Sequence, residues 1–191
     1  RATLGSFSPI CSASRTSATM TAHGPNGAAW FVFLSLRVKP ADSFCNSLEH
    51  VNLTPPAETI VEDFANIEAQ YRLELLLDFA NVLPDLPARY ADHPDLLERV
   101  EECQSPVYLF VEVRNGSVNL FLSAPNEAPT TRAFASILHQ SLNGQGVDAV
   151  LNFNDDFPSM LNLTELVSPL RMRGMRGMLS RIKRQVAEKR N

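Results

Sequence analysis

Cysteine is scarce in this chain, whose 191 residues include only Cys11, Cys45 and Cys103. No two of them have C-x-x-C spacing, and an odd number so widely spread argues against a disulfide framework and for a reducing compartment. A zinc site needs about four closely set ligands, which the spacing of the cysteines and histidines does not provide. We therefore expect a cytoplasmic protein with no disulfide framework and no metal site.

Long apolar runs and a strong net charge are also missing. No apolar run reaches the ~20 residues needed to cross a bilayer, which argues against a membrane protein. The net charge is −4, and the basic C-terminal segment has no aromatic residue, so we expect no nucleic-acid partner. A hydrophobic content of 45% and a charged content of 20% are ordinary for a globular protein with a buried core.

Acidic residues are absent from residues 1–41, where Ser, Thr, Ala and Arg are abundant. This composition is typical of an organelle transit peptide, but the interpretation that we favour for residues 1–53 is an upstream extension of the reading frame. In either case we expect that segment to be disordered and the folded domain to span residues 54–191. A transit peptide would direct the protein to an organelle instead of the cytoplasm.

Within the domain the charge is uneven. Residues 57–102 contain twelve acids and three arginines, whereas residues 171–191 contain eight basic residues and one acid. The two segments could attract each other, but we favour two separate solvated faces of opposite charge.

The spacing of apolar residues predicts a first helix that is capped by Thr54, begins at Pro55 and ends before Pro84. Its apolar residues recur every three or four positions: Ile60, Phe64, Ile67, Tyr71 and Leu75.

A β-hairpin is the clearest local pattern, because aliphatic residues alternate with others on both sides of Asn115-Gly116. A two-residue turn pairs Arg114 with Ser117, which places all the aliphatic side chains on one face. The opposed pairs are Val113 with Val118, Val111 with Leu120, and Leu109 with Leu122.

Further helices are predicted on the C-terminal side of the hairpin. One spans residues 133–142, is capped by Thr130 or Thr131, and ends at the Asn143-Gly144-Gln145-Gly146 segment. A turn at 147–151 and a short helix at 158–163 follow, and the last helix begins at Pro169. Its apolar stripe is expected in the core: Met175, Met178, Leu179, Ile182 and Val186. These elements predict an α+β fold, in which a hairpin at 106–124 and a short strand form a small antiparallel sheet with helices on one face.

Cys103 is the only cysteine inside the predicted domain and lies in a loop just before the hairpin. A lone cysteine is usually a small buried apolar residue. If Glu101 and Glu102 lie close to it in space, they should raise the pKa of its thiol and make it poorly reactive.

The Cys103-Gln104-Ser105 segment, followed by Val107 and Tyr108, resembles the G-C-x-S-x-V-W motif of the SufE family. A second segment resembles the family pattern L-x-x-L-[ST]-P-x-R-x-x-G-x-x-x-M and supplies Leu163, Leu166, Ser168, Pro169, Arg171, Gly174 and Met178. The resemblance covers residues 57–187. Three positions depart from the family pattern: Glu102 and Ala133 replace glycines, and Arg173 replaces an Asn or Gln. Glu102 puts the mobility of the cysteine loop in doubt.

The resemblance implies a SufE/IscU-like fold and a sulfur acceptor. Cys103 would take persulfide sulfur from a cysteine desulfurase, stimulate that enzyme, and deliver the sulfur to a downstream iron–sulfur scaffold. Gln104 and Ser105 would shape the loop and offer hydrogen bonds, while Arg171 would contact the partner or brace the last helix. The alternative for Arg171 is an ion pair with a neighbouring acid at the start of that helix. No cofactor is implied.

Several alternatives stay open. A sulfur relay to tRNA or cofactor thiolation would use the same chemistry, and a binding module would have the same fold with an inert cysteine. A cluster scaffold would need about four ligands, mostly cysteines, and a cysteine hydrolase would need His93 or His139 beside Cys103. A homodimer and a monomer are both compatible with these patterns.

Overall fold

The computed structural model describes residues 52–190. In this part of the chain the helices are α1 (Pro55–Asn66), α2 (Arg72–Asn81), α3 (Ala88–Ala91), α4 (Pro129–Leu142), α5 (Val147–Leu151), α6 (Phe157–Met160) and α7 (Pro169–Lys189). The strands are β1 (Glu98–Arg99), β2 (Tyr108–Arg114) and β3 (Ser117–Ser123). The predictions for residues 1–53 lie outside the described residues, apart from the last two positions.

The three strands form one antiparallel sheet in the order β1-β2-β3. The predicted register is confirmed, because Val113 lies opposite Val118 and Arg114 lies opposite Ser117. Asn115 and Gly116 have φ values of 52° and 75°, the left-handed conformation that a type I′ hairpin turn requires at both of its central residues. The predicted short strand before the cysteine is β1.

Helices α4 and α7 pack on the aliphatic face of the sheet, and α1 and α2 pack on α4. The predicted apolar stripe of α7 is buried throughout, as are the facing residues of the hairpin, among them Leu109, Val111 and Leu120. This arrangement confirms the predicted α+β class. None of the helices between residues 52 and 190 combines the length and the hydropathy that a membrane span requires.

The opposite face of the sheet has a smaller cover than the aliphatic face. The single turn of α3 places Tyr90 over Phe110 and Phe121, with ring centroids 5.1 and 4.7 Å apart. The Tyr90 hydroxyl donates a hydrogen bond to Glu112 on the same face. The sheet therefore has a full helix layer on one face and an aromatic patch on the other.

The prediction of one long first helix is wrong, because the chain breaks between α1 and α2. Ile67 is extended, with φ −80° and ψ 142°, and Tyr71, which the pattern placed on the buried side, is 48% exposed. After the break Arg72 donates a hydrogen bond to the carbonyl oxygen of Phe64 (3.1 Å). The break thus lets two shorter helices pack on α4. A single straight helix would have continued beyond α4.

The predicted helix starts are partly corrected. Thr54 does precede α1, but its hydroxyl donates to the distant carbonyl oxygen of Ser141 (2.6 Å) and caps no helical N–H. Helix α4 begins at Pro129, so Thr130 and Thr131 lie inside it and the predicted cap is wrong. Proline suits the first position of a helix because the N–H that it lacks has no intrahelical partner there. The helix predicted at 158–163 spans Phe157–Met160 instead.

Both edges of the hairpin are hydrogen-bonded by groups outside the strands. On the β2 side, the Val111 N–H donates to Oε1 of Gln185 (2.9 Å) and the Val111 carbonyl oxygen accepts from Lys189 (2.8 Å). On the β3 side, the Val118 N–H donates to the carbonyl oxygen of Gln145 (2.8 Å). Asn143 Oδ1 accepts from the Leu120 N–H (2.9 Å) on the same side.

Candidate functional site

Cys103 lies in the loop between β1 and β2, which confirms its predicted position at the end of the sheet. The loop is closed at its base, where the Val100 N–H donates to the Val107 carbonyl oxygen (2.9 Å). It is also turned sharply, because the Cys103 N–H donates to the Val100 carbonyl oxygen (3.2 Å). Cys103 is only 8% exposed, so the loop holds its thiol against the protein.

Two glycines of α7 form the surface on which the loop rests. A Cβ added to Gly174 would lie 2.9 Å from Sγ of Cys103, and one added to Gly177 would lie 2.9 Å from the Glu102 carboxylate. Ordinary Cβ atoms do not approach other atoms so closely. Glycine within a helix costs about 0.5–1 kcal/mol relative to alanine, and here that cost permits the close approach of the loop.

Ion pairs tie the loop and β1 to α7. Arg181 donates a hydrogen bond to the Glu102 carboxylate, and its Nε lies 3.1 Å from Oε1 of Glu98. Arg184 and Gln185 also bind the Glu98 carboxylate. The expectation of two separate solvated faces is therefore wrong for this part of the acidic segment, since its last residues pair directly with the basic helix.

The environment of Cys103 disfavours its thiolate. Burial raises the pKa of the thiol, Glu102 raises it further, and Arg181 partly offsets both, so the pKa is about 11 instead of the ordinary 9.0. The prediction that a neighbouring acid raises the pKa is confirmed for Glu102. Glu101 makes no such contribution; its exposed carboxylate lies 3.9 Å from Arg99.

We expect alkylation of Cys103 by iodoacetamide to be about a hundredfold slower in the folded protein than in urea at neutral pH, because raising the pKa lowers the thiolate fraction. The rate in the folded protein should rise about tenfold per pH unit up to about pH 10. In urea it should level off near the ordinary pKa. Peptide-resolved mass spectrometry of the Cys103 peptide measures both rates, and a folded-state rate that levels off near pH 9 would contradict the raised pKa.

A cavity of about 160 Å³ opens beside the Cys103 thiol between the cysteine loop and the starts of α4 and α7. The four residues predicted for the site all line it: Cys103, Gln104, Ser105 and Arg171. The cavity is small next to the ~300–1,000 Å³ of ligand and cofactor sites. It has room for a side chain.

The polar side chains of this cavity are unpaired within the described part of the chain. Gln104 and Arg171 are exposed, and Ser105 is half-buried. Within residues 52–190 the side chains of these three residues form neither an ion pair nor a hydrogen bond. The alternative in which Arg171 pairs with a neighbouring acid is therefore not what the structure shows.

The histidines that a cysteine hydrolase would need lie elsewhere. His93 is exposed in the segment before β1, and His139 lines cavities near the C-terminal end of α4 together with Asn143. Neither histidine lines the cavity beside Cys103. In the described part of the chain, no group of three or more His, Cys, Asp or Glu side chains is placed to hold a metal ion.

Three features of the site were missed from the sequence: Gly177, Arg181 and the contribution of α4. Two glycines three residues apart in a helix indicate a close packing contact, so Gly177 was open to inference together with Gly174. Arg181 carries no such local signal. The α4 residues Thr130 and Thr131 line the cavity, although the sequence assigned them to a helix cap.

The chain is similar to several known proteins. The family model described as "SufE: Fe-S metabolism associated domain" matches residues 58–186. An uncharacterized SufE-like protein of Mycobacterium tuberculosis is 48% identical over 138 residues, which cover 72% of this chain and 95% of that protein. SufE-like protein 1, chloroplastic/mitochondrial, of Arabidopsis thaliana is 28% identical over 131 residues, which cover 66% of this chain and 33% of that protein. The solution structure of a hypothetical protein from Thermus thermophilus has a TM-score of 0.64 and 34% identity, covering 72% of this chain and 97% of that one.

Proposed function

Because the chain belongs to the SufE family, which is associated with Fe–S metabolism, we propose that Cys103 accepts persulfide sulfur from a cysteine desulfurase and carries it to iron–sulfur cluster assembly. The observation that supports this most directly is the cavity beside the thiol. Gln104, Ser105 and Arg171 line it together with the cysteine. These are the residues on which the two family motifs converge.

The proposed reaction is a displacement at sulfur. The Cys103 thiolate attacks the outer sulfur of the donor's persulfide, R–S–SH, and forms a new S–S bond. The donor's own S–S bond breaks, and its inner sulfur leaves as the thiolate R–S⁻, which takes up a proton. The products are Cys103–S–SH and R–SH, so sulfur is transferred without net oxidation or reduction and no cofactor is needed.

The neighbours of Cys103 would act in binding rather than in chemistry. Arg171 offers an exposed cation at the mouth of the cavity, and Gln104 and Ser105 offer hydrogen bonds next to the thiol. The thiol itself is covered and has a raised pKa, so it is a poor nucleophile in the free protein. Such a resting state suits an acceptor that reacts only when a partner is bound.

Further parts of the proposal concern the setting of this reaction. We take residues 54–191 as the functional unit, the cytoplasm as its compartment, and a cysteine desulfurase and a downstream iron–sulfur scaffold as its partners. Sulfur delivery to tRNA or cofactor thiolation is the alternative. The name of the Arabidopsis relative, SufE-like protein 1, chloroplastic/mitochondrial, keeps an organelle as the second candidate compartment.

The test is direct detection of sulfur on Cys103. The full-length protein is mixed with the cysteine desulfurase of the same organism and cysteine, then alkylated and digested. We expect the Cys103 peptide to gain the mass of one sulfur atom, and the desulfurase to release alanine faster. Omission of cysteine is the control for adventitious sulfur.

An unmodified Cys103 peptide, together with an unchanged rate of alanine release, would reject the proposal. Sulfur found on Cys11 or Cys45 instead would reject the assignment of Cys103 while retaining an acceptor role. The peptides are resolved by mass, so each cysteine is read separately.

A further inference from the structure

One arginine of α7 pairs with an acidic residue of β1 and with a second one in the turn that leads to Cys103. Arg181 donates a hydrogen bond to Glu102, and its Nε lies 3.1 Å from Oε1 of Glu98. Only 17% of the Arg181 side chain is exposed. The Glu102 side chain lies against Gly177, so both packing and charge hold it on the helix.

This contact opposes a motion of the loop that would expose the thiol. Sγ of Cys103 lies against Gly174 and the residue is 8% exposed, so movement of the loop away from α7 would expose more of the sulfur to a protein donor than the cavity alone does. Glu102 immediately precedes Cys103 in the chain. The loop therefore cannot move far without separating Glu102 from Arg181. A hydrogen-bonded, partly buried ion pair resists such separation more than an exposed pair does.

We infer that Arg181 is a positioning residue, which acts through Glu102 to keep the Cys103 thiol covered until a partner displaces the loop. The inference rests on the proposed function for the nature of that partner. The covering of the thiol, in contrast, is a property of the free protein and is measured without a desulfurase. The ion pair then determines how often the free protein exposes its sulfur acceptor.

Substitution of Arg181 separates this role from a direct effect of charge, because the two act in opposite directions. The Arg181 cation lowers the pKa of the Cys103 thiol and the Glu102 carboxylate raises it. Through charge alone, Arg181→Gln would slow alkylation of Cys103 and Glu102→Gln would accelerate it. Loss of the ion pair instead accelerates alkylation in both variants, by about three- to tenfold.

The experiment uses the full-length protein, iodoacetamide and mass spectrometry of the Cys103 peptide. Glu101→Gln is the matched control, because it removes a neighbouring carboxylate that is exposed and does not bind Arg181; its rate should equal that of the unsubstituted protein. Arg181→Lys keeps a cation in place and should restore most of the slow rate.

A second measurement does not depend on the ionisation of the thiol. Amide hydrogen exchange of residues 101–105 reports opening of the loop, and we expect it to be faster in both Arg181→Gln and Glu102→Gln. It also covers the case in which Arg181→Gln weakens the fold, since Glu102→Gln alters only the loop side of the pair.

A slower or unchanged alkylation rate in Arg181→Gln, with unchanged amide exchange in both variants, would overturn the inference. Failure of the proposed function has a different signature. In that case alkylation and amide exchange change as expected, but neither the variants nor the unsubstituted protein acquires sulfur from the desulfurase. Sulfur uptake without the expected alkylation pattern would reject the role of Arg181 alone.

Discussion

Replacing Cys103 by serine is expected to abolish sulfur uptake and the acceleration of the desulfurase, while the affinity for that enzyme changes by less than about twofold. A serine hydroxyl has nearly the shape of the thiol but is not ionised near neutral pH and does not attack a persulfide. Binding should persist because the residue is 8% exposed and contributes little surface. Alanine release and calorimetric titration with the desulfurase measure the two effects separately.

The matched controls are Cys11→Ser and Cys45→Ser, which make the same change outside the family match at residues 58–186. Both should retain full stimulation. If Cys103→Ser also retained it, the chain would be a binding module that activates its partner by contact.

Leu76→Ala should lower the free energy of unfolding by about 2–5 kcal/mol, because it deletes a buried side chain and leaves a cavity. Leu76 is fully buried in α2, which packs on α4, and α4 in turn lines the cavity beside the cysteine. Urea denaturation followed by the helical circular dichroism signal measures the loss. Unchanged urea dependence of the unfolding free energy would show that the native state, rather than the unfolded chain, is affected.

Leu77→Ala provides an unusually close control, since the same chemical change is made one residue further along the same helix. Leu77 is 37% exposed, so we expect a loss within about 0.5 kcal/mol. Equal losses at the two positions would mean that α2 does not bury the side that the structure assigns to the core.

The hairpin was predictable in detail because its information is local. Alternation has a period of two, and the Asn115-Gly116 turn fixes which residues are opposed, so one choice of turn sets the whole register. The last helix was predictable for a similar reason, since Pro169 marks its start and an apolar stripe follows. The sequence patterns agree with the structure where short-range geometry decides the outcome.

The first helix was mispredicted because its pattern continues through the break. Ile67, Tyr71 and Leu75 keep helical spacing, yet the chain is extended at Ile67. The gain from packing two helices on α4 outweighs the continuation of one helix, and that gain depends on contacts remote in sequence. The spacing of apolar residues alone does not reveal this packing gain.

The candidate site also contains residues that a local pattern reveals and residues that only the tertiary structure brings together. Cys103, Gln104 and Ser105 were found from one short motif, whereas Glu102 meets Arg181 across 79 positions of sequence. The composition indicated opposite charges in the two segments but not which residues meet. Only the packing of α7 under the loop brings that pair together.

The hydrogen bonds along both borders of the hairpin bear on how copies of the protein behave toward one another. Unpaired strand edges act as templates on which a second chain adds its own strand, the first step of many aggregates. Here Gln185 and Lys189 occupy the Val111 backbone groups on one border. On the other border, the segment from Asn143 to Gln145 occupies both backbone groups of Val118 and the Leu120 N–H. These contacts hinder the addition of a strand from a second molecule to this small sheet. Resistance to aggregation therefore depends on the last helix as much as on the strands.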